Sequence, residues 1–226
     1  MGRTPITKKD LSEEVRYAIF DMDGTLIDSN SMLESVLRKY FVKRGMIPGS
    51  KLNSAAKTMS IYTLCATIKR LTGDRGSVED TMHEIESYSS EGYAKEVEAK
   101  PFVKEYLEKQ KAAGTKMCVA SATEEKQINA VLARLGLLHF FEFVITVTQV
   151  GKSKEYPDVF VQAAQRLGAN RMCEVTVFED ALAAIRAAKA AGFRVIGVYD
   201  VTNQNDLEAE ITLCDKFIYS FDEFLR

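Results

Sequence analysis

The stretch VRYAIFDMDGT, residues 15–25, decides the fold. Its first six positions are rich in strand-forming residues, and the run stops at Asp21-Met22-Asp23-Gly24-Thr25, so it reads as a buried strand ending in a polar turn. The same punctuation recurs downstream. Residues 116–120 end at Ser121, 142–147 end near Gly151, 174–178 end at Glu179-Asp180, and 194–198 end at Tyr199-Asp200. A shorter sixth run covers 216–219. Helical patterns fill the gaps at 101–113, 124–135, 157–167 and 181–191, the last closed by Gly192. Strands alternating with helices imply a doubly wound α/β fold, a parallel sheet covered on both faces. Such sheets bind ligands beyond the carboxyl ends of their strands, where these acidic and hydroxyl residues fall.

Residues 29–99 break the alternation. They read as consecutive helices at about 31–44, 53–71 and 77–94, punctuated by Gly45, Pro48-Gly49 and Gly73. The expected organisation is a Rossmann-like core of residues 1–28 and 100–226 interrupted by a helical domain of residues 29–99. The alanine-rich spacing between Ala181 and Gly192 suits close helix packing.

Composition narrows the class. Of the 226 residues, 46% are hydrophobic and 27% charged, as in an ordinary globular protein of one or two domains. With 30 basic against 32 acidic side chains and a net charge of -2, no basic footprint points to nucleic acid. Cys65, Cys118, Cys173 and Cys214 are far apart and form no CxxC pair, which implies free thiols in a reducing interior. The N-terminal residues MGRTPITKKDLSEE are charged and lack an apolar signal core. Ile6 stands where a myristoylation pattern needs Ser or Thr. No apolar run reaches the roughly 18–20 residues of a membrane span. A cytoplasmic protein, monomeric or weakly oligomeric, with no membrane partner is expected.

Asp21 and Asp23 carry the chemistry. Two positions apart in an extended segment, they point the same way and share a pocket. Neighbouring carboxylates raise one another's pKa unless a cation or a proton offsets the repulsion. A phosphoryl-transfer site can use both: one carboxylate attacks phosphorus and the other donates a proton to the leaving oxygen. The first suits the nucleophile. Gly24 and Thr25 suit a tight turn whose backbone N–H groups face phosphate oxygens. Magnesium, which prefers oxygen ligands, would join these carboxylates to the phosphate. A calcium loop starting at Asp21 would need Glu at its twelfth position, and Met32 stands there.

With DMDGT at the end of an apolar strand, the sequence resembles the haloacid dehalogenase superfamily over roughly residues 15–225. The resemblance implies Asp21 as nucleophile and Asp23 as general acid/base. It also implies magnesium held by the Asp21 side chain and the Asp23 backbone carbonyl. The family's second motif, a strand ending in Ser or Thr, is matched by MCVASAT and so by Ser121, whose hydroxyl would face the phosphoryl group. The third, a lysine just before a proline-rich acidic segment, is matched in VGKSKEYPDVF by Lys154, with Glu155 where proline is common; Lys152 reads as a surface lysine. The fourth, an acidic pair closing a strand, gives Glu179 and Asp180, the latter a metal ligand and the former supporting the site. Ala181 and Ala184 replace the family's usual Ser and Gly after that pair. His83, His139 and the pair Phe140-Phe141 fall outside the motifs and read as packing or surface residues.

In this family a helical insert after the first motif is a cap that closes over the pocket. The expected activity is magnesium-dependent hydrolysis of a small phosphorylated metabolite, such as a sugar phosphate, phosphoglycolate or a nucleotide, through an aspartyl phosphate. The alternatives are a β-phosphoglucomutase-like phosphosugar mutase and a non-enzymatic regulatory or binding module. Thr25, where such mutases often carry Val, leans toward the phosphatase. Acidic magnesium ligands argue against a dehalogenase.

Overall fold

The computed structural model describes residues 15–225. The first fourteen residues of the expected core, with the charged N-terminal stretch, lie outside the described residues. Six parallel strands form one sheet in the order β3-β2-β1-β4-β5-β6. They are β1 (Tyr17–Phe20), β2 (Lys116–Ser121), β3 (Val144–Thr146), β4 (Val175–Glu179), β5 (Arg194–Val198) and β6 (Lys216–Ile218). The chain winds outward from β1 through β2 to β3, then returns to start β4 on the other side of β1. The crevice between β1 and β4 is therefore the topological switch point.

Alternation along the strands builds two apolar layers. Ala18, Phe20, Met117, Val119 and Phe178 face one layer, and Tyr17, Ile19, Cys118, Ala120, Val175 and Val177 face the other. Helices α5 (Val103–Ala112) and α6 (Glu125–Arg134) cover the first face through Val103, Tyr106, Leu107, Ile128, Val131 and Leu132. Helices α8 (Asp158–Leu167) and α9 (Leu182–Ala190) cover the second. Ala184 and Ala188 are fully buried there, so the alanine spacing serves close packing. Phe20 and Phe178 stack across neighbouring strands at 4.4 Å between ring centroids, just beneath the site.

The insert comprises α1 (Asn30–Val42), α2 (Ser50–Ala56), α3 (Ile61–Thr72), α4 (Val78–Glu91) and a π-helical turn at Gly92–Glu96. Val36, Leu37, Tyr40, Phe41, Leu64, Cys65, Ile68 and Ile85 give it an apolar cluster of its own. The single helix expected over 53–71 is broken in two. The Thr58 hydroxyl bonds back to the Ala55 carbonyl, and Ser60 caps α3 by accepting from the Thr63 N–H at 3.3 Å. The two chain crossings at the root of the insert run side by side: the Asp28 N–H donates to the Glu98 carbonyl at 3.0 Å, and the Lys100 N–H to the Leu26 carbonyl at 2.9 Å. Two short helices, α7 (Val147–Val150) and α10 (Leu207–Leu213), show no readable periodicity because each is at most two turns long.

Among the described residues no helix is long and apolar enough to cross a membrane. The cysteines are free: Cys65 and Cys118 are buried, Cys214 partly so and Cys173 exposed. His83 and His139 are exposed, and Phe140 is in the core with Phe141 packed against it.

Candidate active site

Register places the functional side chains. Phe20 pairs with Phe178 across β1 and β4, and the Asp21 N–H extends that ladder to the Phe178 carbonyl at 3.0 Å. Asp21 and Glu179 therefore sit level at adjacent strand ends. By alternation each points to the side of the sheet occupied by Ile19 and Val177, the side that α8 covers. Lys154, in the loop before α8, rises from that side with no exposed surface. Its ammonium donates to Asp21 Oδ1 and, at 2.8 Å, to Glu179 Oε2. Burial works against the ammonium, but Asp21 and Glu179 outweigh it and hold Lys154 protonated, above its ordinary pKa. Asp21 shifts well upward, through burial first and then through the charges of Glu179, Asp180 and Asp23, with Lys154 opposing. A cluster in that state has room for another cation.

Asp21, Glu179 and Asp180 can each bring one carboxylate oxygen within 4.8 Å of the others. Three hard oxygen donors suit a small divalent cation. Glu179 Oε2 is taken by Lys154, and its Oε1 accepts the N–H groups of Asp180 and Ala181 at 3.2 and 3.1 Å. Ala181 thus starts α9 without a side-chain cap, the preceding carboxylate doing that work. Asp180 is aimed from three elements: Asn30 Nδ2 donates to its Oδ2 at 2.9 Å, Asn203 Nδ2 to the same oxygen at 3.1 Å, and the Thr25 hydroxyl to Oδ1 at 3.3 Å.

Asp23 stands apart from this cluster. Its Oδ1 accepts the hydroxyls of Ser29 (2.6 Å) and Tyr93 (2.7 Å), and its Oδ2 that of Thr123 (2.7 Å). Burial moves Asp23 upward against these three bonds. Burial likewise pushes Tyr93 well up, with Asp23 adding to it, so the phenol stays a donor. Of the expected metal residues, Asp21, Glu179 and Asp180 lie together, whereas the Asp23 carboxylate is engaged by hydroxyls.

Gly24 and Thr25 form the turn that follows Asp23. The Gly24 N–H donates to the Ile27 carbonyl at 2.9 Å and the Thr25 N–H to the Met22 carbonyl at 3.3 Å. Gly24 is required by its φ of +80° and by its closeness to Asn30 and Asp180, and Thr25 by its bond to Asp180.

Ser121 is buried and accepts the Thr123 N–H at 3.1 Å; α6 begins after Glu124, so Ser121 is no cap for it. Lys152 pairs with Asp158 at 2.7 Å on the surface, and Glu155 is exposed. Sequence reasoning missed Asn30, Lys57, Tyr93 and Asn203. Lys57, between α2 and α3, donates to the Thr202 hydroxyl at 2.7 Å and to Asn203 Oδ1, and lies 3.7 Å from Asp180. The Lys154 N–H donates to the Thr58 carbonyl at 2.8 Å, a second tie between insert and core.

The chain is similar to known proteins. Fructose-1-phosphate phosphatase YqaB of Escherichia coli (strain K12) is 30% identical over 189 residues, covering 81% of this chain and 97% of that protein. A phosphorylated carbohydrates phosphatase of Thermotoga maritima is 26% identical, covering 82% and 86%. The crystal structure of β-phosphoglucomutase from Clostridium difficile superposes with a TM-score of 0.77 at 21% identity over 92% of each chain, which shows the shared fold. The sequence model of the family described as Haloacid dehalogenase-like hydrolase matches residues 18–198. A match that runs from within β1 to the last residue of β5 takes in both acidic strand ends and everything inserted between them, and it makes this chain a member of that family.

Proposed function

We propose that the chain hydrolyses a small phosphomonoester with the help of a divalent cation, Mg2+, through a phosphoryl group carried on Asp21. The observation that carries this reading is the contrast between two neighbouring buried carboxylates: Asp21 is fixed by the Lys154 ammonium, Asp23 by three hydroxyls. At Asp21 the ammonium opposes the upward push of burial and so favours the anion that attacks, and the other environment suits a group that gains and loses a proton.

In the proposed sequence an Asp21 oxygen attacks phosphorus and the bond to the leaving oxygen breaks, while Asp23 gives that oxygen its proton. Asp23, now a carboxylate, takes a proton from a water whose oxygen attacks the aspartyl phosphate. Inorganic phosphate leaves and both side chains are restored. Lys154 offsets charge on the phosphoryl oxygens, and the Ser121 hydroxyl donates to one of them. Asp21 and Asp180 would hold the metal, with Glu179 supporting them and the Asp23 backbone carbonyl adding a ligand. The cation, when bound, supplies charge neutralisation and polarisation of the phosphoryl group.

Residues 29–99 act as a cap on a core of residues 1–28 and 100–226, and Lys57 and Thr58 latch the cap to the loops bearing Asn203 and Lys154. The names of the Escherichia coli and Thermotoga maritima relatives support a phosphorylated small molecule as substrate. Release of phosphate from a panel of phosphomonoesters tests the reading. Asp21→Asn is expected to abolish release and aspartyl phosphate together, and turnover by the purified variant would reject Asp21 as nucleophile. Scoring β-glucose 1-phosphate for glucose 6-phosphate separates hydrolysis from a mutase reaction.

A further inference from the structure

The cavity that opens from Asp21 and Asp23 is closed on its far side by the helical insert. Its wall there consists of Leu33, Val36 and Leu37 from α1, Met59, Leu64 from α3 and Ile85 from α4. Among the described residues lining the cavity, Lys57 is the one cation, and its ammonium is already committed to Thr202 and Asn203. Glu34 and Glu86 bring negative charge to the same wall. One polar atom there stands ready for a ligand: Asn53 Oδ1 is buried without a hydrogen-bond partner. As an amide carbonyl oxygen it accepts from an O–H or N–H.

Resting on the phosphatase reading, we infer that the preferred substrate is a monophosphate ester whose leaving group has an apolar body, offers a donor to Asn53, and carries no second anionic group. A second phosphate or a carboxylate would be desolvated beside Glu34 and Glu86 with no free cation to pair it. A leaving group studded with hydroxyls would bury several of them unpaired against Leu, Val and Ile side chains. An apolar body meets neither cost and gains from the area it covers.

The test compares kcat/KM for phosphate release, with Mg2+, from 2-(4-hydroxyphenyl)ethyl phosphate, whose phenol is the donor for Asn53, phosphoglycolate and fructose 1,6-bisphosphate. The leaving group of the first is an ordinary alkoxide, so leaving-group acidity cannot give it an advantage. The same three compounds are titrated calorimetrically into the Asp21→Asn protein, which reports binding without turnover. The hydroxyphenylethyl ester is expected to lead both anionic esters by about tenfold or more, the scale on which apolar pockets discriminate. Met59→Gln should shrink that ratio about fivefold, and E34Q combined with E86Q should shrink it from the other side by improving phosphoglycolate. A lead for phosphoglycolate or the bisphosphate, in turnover or in binding, overturns the inference. If no ester is turned over, the phosphatase reading fails, and the order of binding to Asp21→Asn still decides the inference by itself.

Discussion

Replacing Lys154 with Met is the most demanding test of the site. The substitution keeps the length and apolar stem of the side chain and removes only the ammonium, which has no solvent exposure and serves two carboxylates at once. Removing one partner of a buried ion pair costs about 3–5 kcal/mol, because the charge left behind has neither water nor a counter-ion. Here two carboxylates are stranded, with Asp180 close enough to add its repulsion. In metal-free buffer Lys154→Met should therefore melt well below the wild type; at about 2–4 °C per kcal/mol for a chain of this size the fall is about 6–20 °C. Mg2+ should recover part of it. With the competing ammonium gone, three carboxylates face the cation alone, so the melting temperature of the variant should climb more steeply with Mg2+ than that of the wild type. Phosphate release should stay low even at saturating metal, by about 10²–10³-fold, the usual loss when a transition-state charge partner is removed. Thermal melts over a Mg2+ series read the stability effect and a phosphate assay reads the rest. A variant within about 1 kcal/mol of wild type without metal, and no more responsive to it, would refute the claim that Lys154 neutralises this cluster.

A Cβ on Gly24 would lie 2.5 Å from Asp180 Oδ2 and closer still to Asn30 Nδ2. Gly24→Ala should therefore cost about 1–2 kcal/mol for the left-handed backbone alone and also weaken Mg2+ binding by shifting Asp180, both readable in a melt with and without metal. In the insert, hydrogen bonds from Arg44 hold Glu84 down to about 2. Because its folded pKa lies below its ordinary 4.5, the stabilisation is present above that value and is lost as pH falls toward 2. Glu84→Gln should then lower stability by about 1 kcal/mol at pH 7 and by nothing measurable near pH 2, as judged by urea denaturation. Glu210 in α10 has both carboxylate oxygens buried and unpartnered, and burial, with Asp180 and Asp206 adding, pushes it up to about 8. Its folded state holds a proton the unfolded chain has released, so stability should fall as pH rises from 4.5 to about 8. Glu210→Gln should remove that slope and gain a few kcal/mol, roughly, at pH 9; a urea midpoint that keeps its pH dependence would count against the assignment.

What the sequence made legible follows from periodicity. Strands β1, β2, β4 and β5 are apolar runs bounded by polar turns, so the side chains at or just past their ends, Asp21, Ser121, Glu179 and Asp180, can be assigned to one rim of the sheet from the pattern alone. Lys154 could be found only by its motif, since a lysine in a loop carries no periodic mark. Asn30, Lys57, Tyr93 and Asn203 carry neither mark. Asn30 opens a helix, Lys57 follows another, Tyr93 lies in the π-helical turn, and Asn203 ends a 3-10 turn. Their partners are far away in sequence: Asn30 and Asp180 are 150 residues apart, Lys57 and Asn203 146, Tyr93 and Asp23 70.

The site is therefore assembled in two parts. The sheet alone would bring Asp21, Glu179 and Asp180 together as a repelling triad, and only Lys154 among the motif residues opposes that repulsion. Much of the remaining orientation comes from side chains on or beside the insert: Ser29 and Tyr93 at its two ends hold Asp23, Asn30 at the start of α1 holds Asp180, and Lys57 fixes the Asn203 that does the same, while Thr123 and Thr25 of the core add one bond to each. If the insert moves, the carboxylates lose these donors while keeping their charges. An open site should then be one in which Asp180 keeps only Thr25 and Asn203 and Asp23 only Thr123, so that both turn and exchange protons with water more readily, and a closed one should hold both in the geometry described above. Closure over a substrate would thus complete the orientation of the acidic groups as well as exclude water, which ties the composition of the apolar wall to the rate of the chemistry at Asp21.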